Sequence, residues 1–238
     1  MKLNESVVVL ALATQRDGQT QFFHASLILD AANGPALIDT GLPGQHEVVA
    51  TALAGAGVGV ADLTRIILTH QDIDHIGSLH GLAEASGARV LAGADEVQYI
   101  DGTQPARFMT PEALEKHPQL RPVASMFQAT HVDEALDDGA LIDLAGGVRV
   151  VFSPGHTPGH ICLFHEPSRT LIAGDALTAQ DGQLHGPNPG ATLDMAQASQ
   201  SVQKLAALGP QAIICYHGGV VDADAGAQLR RVAQELAQ

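Results

Sequence analysis

Thr69-His70-Gln71-Asp72-Ile73-Asp74-His75 is the most informative segment of this chain. Just before it, residues 65–69 form a short apolar and β-branched run, which indicates a buried strand. Four potential metal ligands therefore follow a strand end within six residues. Placing so many polar groups beside a core strand is costly unless something satisfies them. A divalent cation bound by imidazole and carboxylate would satisfy all four, and the alternative is a solvated turn rich in histidine and aspartate.

Three later positions follow the same pattern, in which an apolar, strand-like run leads to a potential ligand. These are His156 after residues 150–153, Asp175 after residues 171–174, and His217 after residues 213–216. Glycines beside each of them allow a close approach of the backbone. Because ligands on loops that follow sheet strands can converge at one edge of the sheet, the sequence predicts a single site assembled from four segments.

Length and composition indicate a folded globular protein. The chain has 238 residues, of which 45% are hydrophobic and only 3% aromatic, so its core must consist mainly of aliphatic side chains. The net charge of −14 argues against a nucleic acid or an anionic membrane as a partner, because both attract clusters of lysine and arginine. We expect a small-molecule substrate instead. The sequence gives no indication of the oligomeric state.

The N-terminal residues and the cysteines bear on the cellular compartment. No apolar run approaches the roughly 18 residues of a membrane-spanning helix. Residues 7–13 superficially resemble part of a secretory signal, but Asn4 and Glu5 interrupt the approach to them, so we interpret them as a first strand. Cys162 and Cys215 lie in apolar, strand-like runs and are most simply buried thiols rather than a disulfide. These features predict a cytoplasmic protein.

The order of predicted elements bounds the architecture. Two strands around a turn at Asp17-Gly18 precede strand and helix units up to residue 100, which favours helices covering a mixed sheet. From residue 140 the strands-then-helix order repeats, so we predict a single domain over residues 1–238 with two similar halves. Residues 101–131 interrupt the pattern with four prolines and several large apolar side chains. We interpret this segment as a helical and loop insertion that caps the site, the alternative being a loop excursion.

The ordered series of motifs resembles the metallo-β-lactamase superfamily. It consists of Asp39-Thr40-Gly41, His70-x-Asp72-x-Asp74-His75, Gly155-His156-Thr157-Pro158-Gly159-His160, Gly174-Asp175 and His217, and it covers essentially the whole chain. The resemblance implies an α+β fold, an αβ/βα four-layer sandwich in which two mixed β-sheets lie face to face with helices outside. It also implies a site for two metal ions at one edge of the sheets.

Carried onto the matching positions, the resemblance implies which residues hold the two ions. One ion would take His70, Asp72 and His156, the second would take Asp74, His75 and His217, and Asp175 would bridge both. Asp39 matches a position that supports the ligand loop. His160 lies on the strand side of its motif, so we expect it to support the site or pack in the core rather than bind an ion.

Asp72 departs from the commonest form of the second motif, which has histidine at this position. With three carboxylates, two divalent cations and one bridging hydroxide, the predicted site would carry no net charge. An extra carboxylate favours iron or manganese more than a histidine would. Zinc nevertheless remains the first expectation, and manganese or iron follows. An alternative is that Asp72 only forms hydrogen bonds and that one of the two ions binds weakly.

The predicted function is hydrolysis by a hydroxide held between two metal ions, with Asp74 as the catalytic residue that orients this nucleophile or shuttles its proton. The apolar side of residues 101–131 favours an ester, a lactone or a related acyl substrate. Alternatives within the family are a thioester hydrolase of the glyoxalase II type and a β-lactamase. Two alternatives belong to other classes. One is a di-iron redox enzyme, because a carboxylate at position 72 resembles the motif of the di-iron enzymes in this superfamily, and the other is a metal-binding module without turnover.

Overall fold

The computed structural model describes residues 1–16 and 18–237. Its strands are β1 (Val7–Arg16), β2 (Gln19–Ile28), β3 (Ala36–Ile38), β4 (Arg65–Leu68), β5 (Arg89–Gly93), β6 (Glu134–Leu136), β7 (Leu141–Ile142), β8 (Val148–Phe152), β9 (Ile161–His165), β10 (Thr170–Ile172), β11 (Thr178–Gln180), β12 (Gln183–His185), β13 (Ala212–Cys215) and β14 (Gly219–Val221). Its α-helices are α1 (His46–Gly55), α2 (Ile73–Ile76), α3 (Leu79–Ser86), α4 (Val97–Ile100), α5 (Pro111–Lys116), α6 (Arg121–Ala124), α7 (Met195–Ala207) and α8 (Ala225–Leu236). Short 3₁₀ turns occupy Val60–Asp62, Ala94–Glu96, Arg107–Met109 and Pro118–Leu120.

Two six-stranded sheets form the centre of the molecule. The first sheet has the strand order β1-β2-β3-β4-β5-β6, and the second has the order β14-β13-β10-β9-β8-β7. Strands β3 to β6 run parallel to one another, whereas β1, β2 and β3 pair antiparallel. In the second sheet β10 and β13 are parallel and the remaining pairs are antiparallel. Both sheets are therefore mixed, as the sequence predicts.

The core clusters show how the sheets and helices are layered. Strand β4 illustrates the pattern, because Ile67 packs between the two sheets while Ile66 and Leu68 pack toward α1 and α3. In the second sheet, Val150 faces the first sheet and Val151 packs with α7 and α8. Strands buried on both faces are apolar without alternation, which is why these runs stand out in the sequence. The four layers confirm the predicted αβ/βα sandwich of α+β class.

The structure differs from the predicted elements around the central motif. The sequence predicts one helix over about 76–86, but a single turn, α2, ends at Ile76 and α3 begins at Leu79. The break occurs where Gly77 meets the loop before α1, since a Cβ on Gly77 would lie 2.2 Å from the Pro43 nitrogen. Asp74 and His75 consequently lie in a helical turn rather than in an extended loop.

Smaller differences occur where strands are too short to produce a periodic pattern. Strands β6 and β14 have three residues each and were not predicted, and the predicted loop after Asp175 contains the β11-β12 hairpin. The predicted hairpin of β1 and β2 is present, with Arg16 opposite Gln19, although Asp17 of its turn lies outside the described residues. Residues 101–131 form short helical pieces, and the Thr110 hydroxyl caps α5 by accepting the Ala113 amide hydrogen bond.

The longest helix within the described residues 1–16 and 18–237 is α7, which has 13 residues. None of the helices in these ranges combines the length and the apolar character that crossing a membrane requires.

Gly155 is expected to be indispensable for packing the His156 loop onto α7. Its φ is +132°, and an added Cβ would lie 2.3 Å from the Ala198 nitrogen. Gly155→Ala should lower the free energy of unfolding by about 3 kcal/mol, through backbone strain and steric overlap together. Gly87→Ala is the matched control, because Gly87 also has a positive φ, +67°, but no atom within 4 Å of the added Cβ. That control should cost about 1 kcal/mol in urea unfolding, and equal losses would contradict the steric account.

Candidate metal site

The predicted ligands meet at the edge where the carboxyl ends of strands from both sheets come together. The loop after β4 carries His70 to Asp72, and the loops after β8, β10 and β13 carry His156, Asp175 and His217. Backbone hydrogen bonds join the two sheets at this edge, from the Ile161 amide to the Thr69 carbonyl, 3.0 Å, and from the His24 amide to the Tyr216 carbonyl, 2.9 Å. The loops therefore extend from a rigid base.

Six of the seven predicted ligands form two compact groups. The first group is His70, His156 and Asp175, and the second is Asp74, His75 and His217. In each group, one ligand atom per residue lies within 4.8 Å of the others. Each group thus offers imidazole nitrogen and carboxylate oxygen in the mixture that zinc and similar divalent cations accept.

Asp175 connects the two groups. Its Oδ1 lies 3.3 Å from His75 Nε2, and its Oδ2 lies 3.5 Å from His156 Nε2 and 3.2 Å from His217 Nε2. One carboxylate therefore contacts imidazoles from both groups, which is the arrangement that a bridging ligand requires.

Unpaired polar atoms test whether these residues fit metal ions. His70 Nε2, His75 Nε2 and Asp175 Oδ1 are buried and have no hydrogen-bond partner among the described residues. An unsatisfied buried polar atom costs about 1–3 kcal/mol, so three of them in one place require a ligand. Divalent cations would satisfy them, and the donor set therefore fits the metals that the sequence predicts.

Asp39 fixes the orientation of His75. Its Oδ2 lies 2.9 Å from His75 Nδ1, and its Oδ1 accepts the Thr69 amide hydrogen bond at 2.9 Å. A histidine whose Nδ1–H is held by a carboxylate presents Nε2 as the free ligand atom. Asp39 therefore occupies the supporting position that the resemblance implies.

Carboxylates give the site a strong preference for positive charge. Burial alone would lower the pKa of His75, but Asp39, Asp175 and Asp74 outweigh burial and hold that pKa well above its ordinary value. Asp175 and Asp74 likewise raise the pKa of His217 to about 10 against the effect of burial. The negative potential that retains these protons also attracts metal cations.

Asp72 is engaged differently from the other predicted ligands. Its carboxylate accepts two hydrogen bonds from the Arg107 guanidinium, one on each oxygen. Its Oδ2 also lies 3.1 Å from His156 Nε2 and 3.4 Å from His70 Nε2. Asp72 therefore contacts both imidazoles of the first group while its carboxylate is paired with Arg107. Sequence reasoning missed Arg107, because its only signal is one arginine in a proline-rich segment 32 residues beyond the motif.

Glu96 is a second residue that sequence reasoning missed. It follows β5 and is fully buried, and it accepts hydrogen bonds from the Gln71 amide, the Thr157 hydroxyl and the Gly159 amide at 2.9, 2.7 and 2.9 Å. Burial raises the pKa of Glu96, while the bonds to Thr157, Gly159 and Gln71 oppose that rise. Glu96 thus ties the loop after β4 to the loop after β8. In the sequence, Glu96 could have been recognised as an acidic residue three positions after a buried strand.

His160 and Tyr216 contact the predicted ligands from the core side of the site. His160 Nε2 accepts the Asp175 amide hydrogen bond at 3.1 Å, and its Nδ1 lies 2.8 Å from Ser153 Oγ, so both ring nitrogens are used. Tyr216 is buried in the core; its ring lies on His75, with 3.9 Å between centroids, and its hydroxyl donates to the Asp74 carbonyl.

The remaining residues considered in the sequence lie at the periphery or in the core. His185 is exposed on β12, where it pairs with Thr178. Cys162 and Cys215 are free and buried, as predicted, and burial raises the pKa of both thiols, that of Cys162 to about 12. These thiols are therefore protonated and unreactive at neutral pH.

Comparisons with known proteins agree with this geometry. A model of the metallo-beta-lactamase superfamily matches residues 20–217. The probable metallo-hydrolase YflN of Bacillus subtilis (strain 168) is 35% identical over 198 residues, covering 76% of this chain and 74% of that protein. A metallo-beta-lactamase family protein from Thermus thermophilus aligns over 99% of this chain and 79% of its own, with a TM-score of 0.76 and 26% identity.

A third relative has a more specific name. The hydroxyacylglutathione hydrolase of Ectopseudomonas mendocina (strain ymp) is 32% identical over 158 residues, which cover 65% of this chain. The match spans 47% of that relative, about half its length.

Glu96→Gln is expected to destabilise the loops that carry the ligands. A glutamine amide has one acceptor oxygen, so at least one of the three donors around Glu96 loses its partner, at a cost of about 1–3 kcal/mol. Urea unfolding measures this loss. Glu115→Gln is the control, because Glu115 is exposed in the segment 101–131. A loss for Glu96→Gln no larger than that of the control would contradict the role of Glu96.

Proposed function

This chain belongs to the metallo-β-lactamase superfamily and is a metallo-hydrolase, and we propose that it cleaves an ester, a lactone or a related acyl compound at a site for two divalent cations. The observation that carries this proposal is the pair of histidine and aspartate groups that share Asp175, with buried ligand atoms that lack partners. His70, Asp72 and His156 would hold one ion, and Asp74, His75 and His217 the other. Zinc is the first expectation, with manganese or iron next.

Divalent cations in such a site would supply a water of lowered pKa and polarise the scissile carbonyl. The protein would contribute a carboxylate, that of Asp74, which accepts the proton of the water and later donates it. Asp74 is partly exposed, and its Oδ2 lies 3.3 Å from His217 Nε2, so it faces the accessible side of the site. We propose that its carboxylate orients the attacking water, takes its proton and returns that proton to the departing alkoxide.

Apolar side chains beside His217 and His156, and others in the segment 101–131, favour a substrate with a hydrophobic part. Phe23 packs edge-on against His217, with ring centroids 5.4 Å apart. The Leu193 amide donates to the His156 carbonyl, and the Leu193 side chain is 62% exposed. Met126, in the segment 101–131, is also largely exposed. We propose that this segment covers the substrate and that these side chains contact its acyl portion.

A thioester hydrolase is the second candidate. The relative named hydroxyacylglutathione hydrolase favours it, because it shares 32% identity over a stretch covering 65% of this chain. The same carbonyl chemistry serves esters and thioesters, so the leaving group and the pocket decide between them. The cytoplasmic location stays a prediction.

A substrate panel tests the proposal directly. Protein purified with its native metal should hydrolyse an acyl lactone or an aryl ester of medium chain length with a kcat/KM at least about tenfold higher than that for the corresponding acetyl compound, because one buried methylene contributes roughly 0.8 kcal/mol. Thioester turnover above ester turnover would favour the second candidate. Preference for a β-lactam would contradict the acyl substrate, and oxygen or peroxide consumption by a protein that contains iron would contradict hydrolysis.

Asp175→Ala should remove both ions together, because its carboxylate contacts imidazoles of both groups. Element analysis should give two equivalents for the wild type and fewer than half an equivalent for this variant. Asp181→Ala serves as the control, since Asp181 is exposed in the turn between β11 and β12. Retention of one full equivalent in Asp175→Ala would contradict the bridging role.

A further inference from the structure

We propose that Arg107 sets the charge of the cation site by neutralising Asp72, so that the ion beside His70 and His156 experiences only part of that carboxylate's charge. This inference rests on the cation site proposed above. It concerns a positioning residue from the segment 101–131, because Arg107 acts on the site through another side chain.

The hydrogen bonds of Arg107 assign it to this role. Its Nε and Nη2 donate to the two oxygens of Asp72, so the pair is bidentate. Its Nη1 donates to the Ala191 carbonyl at 2.7 Å and points to the His156 carbonyl at 3.3 Å. Every nitrogen of the guanidinium is therefore engaged by the protein. Four of its five N–H groups meet oxygen atoms and the fifth, on Nη2, lies 3.0 Å from His156 Nε2, so no donor remains for an anionic group of the substrate.

The backbone around Arg107 keeps the guanidinium in place. The Arg107 amide donates to Gln71 Oε1 at 2.8 Å, and the next residue, Phe108, is buried against the ring of Phe127 with centroids 5.6 Å apart. Arg107 is thus attached at its backbone to the loop after β4 and at its side chain to Asp72, Ala191 and the His156 loop. The positive charge of Arg107 is therefore held at a fixed position, unlike that of a mobile surface side chain.

Limited exposure makes this charge effective. The Arg107 side chain is 24% exposed and that of Asp72 is 14% exposed, so solvent screens their charges only partly. Nη2 of Arg107 lies 3.0 Å from His156 Nε2, which places the positive charge directly beside the first ligand group. Asp72, Asp74 and Asp175 bring three negative charges to the site, and the guanidinium of Arg107 pairs with the first of them.

The sign of each substitution follows from Coulomb attraction. Removing the guanidinium leaves the whole negative charge of Asp72 facing the cation, which should bind more tightly. Removing the carboxylate leaves the positive guanidinium facing the cation, which should bind more weakly. Removing both should restore an affinity near that of the wild type. A unit charge in this partly screened position corresponds to a change in Kd of about tenfold.

The experiment measures cobalt(II) and zinc(II) binding to protein stripped of metal, by competition with a chromophoric chelator, together with the visible spectrum of the cobalt form. Arg107→Gln should lower the Kd of the first ion about tenfold and weaken the visible bands, because a freer Asp72 increases the coordination number. Asp72→Asn should raise that Kd about tenfold, and the double variant should lie within about threefold of the wild type. Arg107→Lys keeps the charge but loses the bidentate geometry, so its Kd should lie between those of the wild type and Arg107→Gln.

Controls separate this inference from a loss of structure. Arg121→Gln removes an exposed guanidinium of the same segment, whose Nε donates to the Leu114 carbonyl, and should change neither Kd nor spectrum. Weaker cobalt binding in Arg107→Gln, or an effect of Arg121→Gln equal to it, would overturn the inference. An unaltered Kd in Arg107→Gln would overturn it as well. A wild-type protein that binds no cation would instead refute the site proposed above, so the two failures are distinguishable.

Discussion

Asp175 is the residue on which both halves of the candidate site depend. Its two carboxylate oxygens lie within 3.5 Å of nitrogens from His75, His156 and His217, which come from three different loops. Without a positive charge among these groups, a buried carboxylate and several unpaired ring nitrogens would remain unsatisfied beside an apolar core. The fold brings these residues together because the loops extend from neighbouring strand ends of two sheets that pack face to face.

A set of buried hydrogen bonds holds the ligands before any ion binds. Asp39 orients His75, His160 holds the Asp175 amide, and Glu96 joins the loops on either side of the first group. Each of these supports is itself buried, so its bonds are poorly screened and its own position is fixed. Such preorganisation suits a site whose function is to position a carbonyl and a water, since small displacements reduce catalysis strongly.

The segment 101–131 carries the apolar side chains that we propose contact the substrate, and it also carries the arginine that pairs with Asp72. Its apolar residues, including Met126 and Phe127, provide the side that we propose contacts the acyl group. Its Arg107 pairs with Asp72, so in the proposed site one segment would both cover the substrate and set the charge beside the first ion.

The sequence by itself indicated a mixed sheet and a metal site, because buried strands that end on histidine and aspartate are local patterns that require no knowledge of contacts. The resemblance of its ordered motifs to the metallo-β-lactamase superfamily added the sandwich fold and the assignment of the candidate ligands. It also indicated the supporting roles of Asp39 and His160. Only the tertiary structure decided that Arg107 pairs with Asp72 and that Glu96 joins two loops, since these contacts connect residues 35 and 61 positions apart without any periodic signal. It likewise decided where α2 ends, because Gly77 meets a loop from another part of the chain. Secondary-structure propensity depends on neighbouring residues in the sequence. The pairing of charges and the close approach of two backbone segments depend on residues that are distant in the sequence.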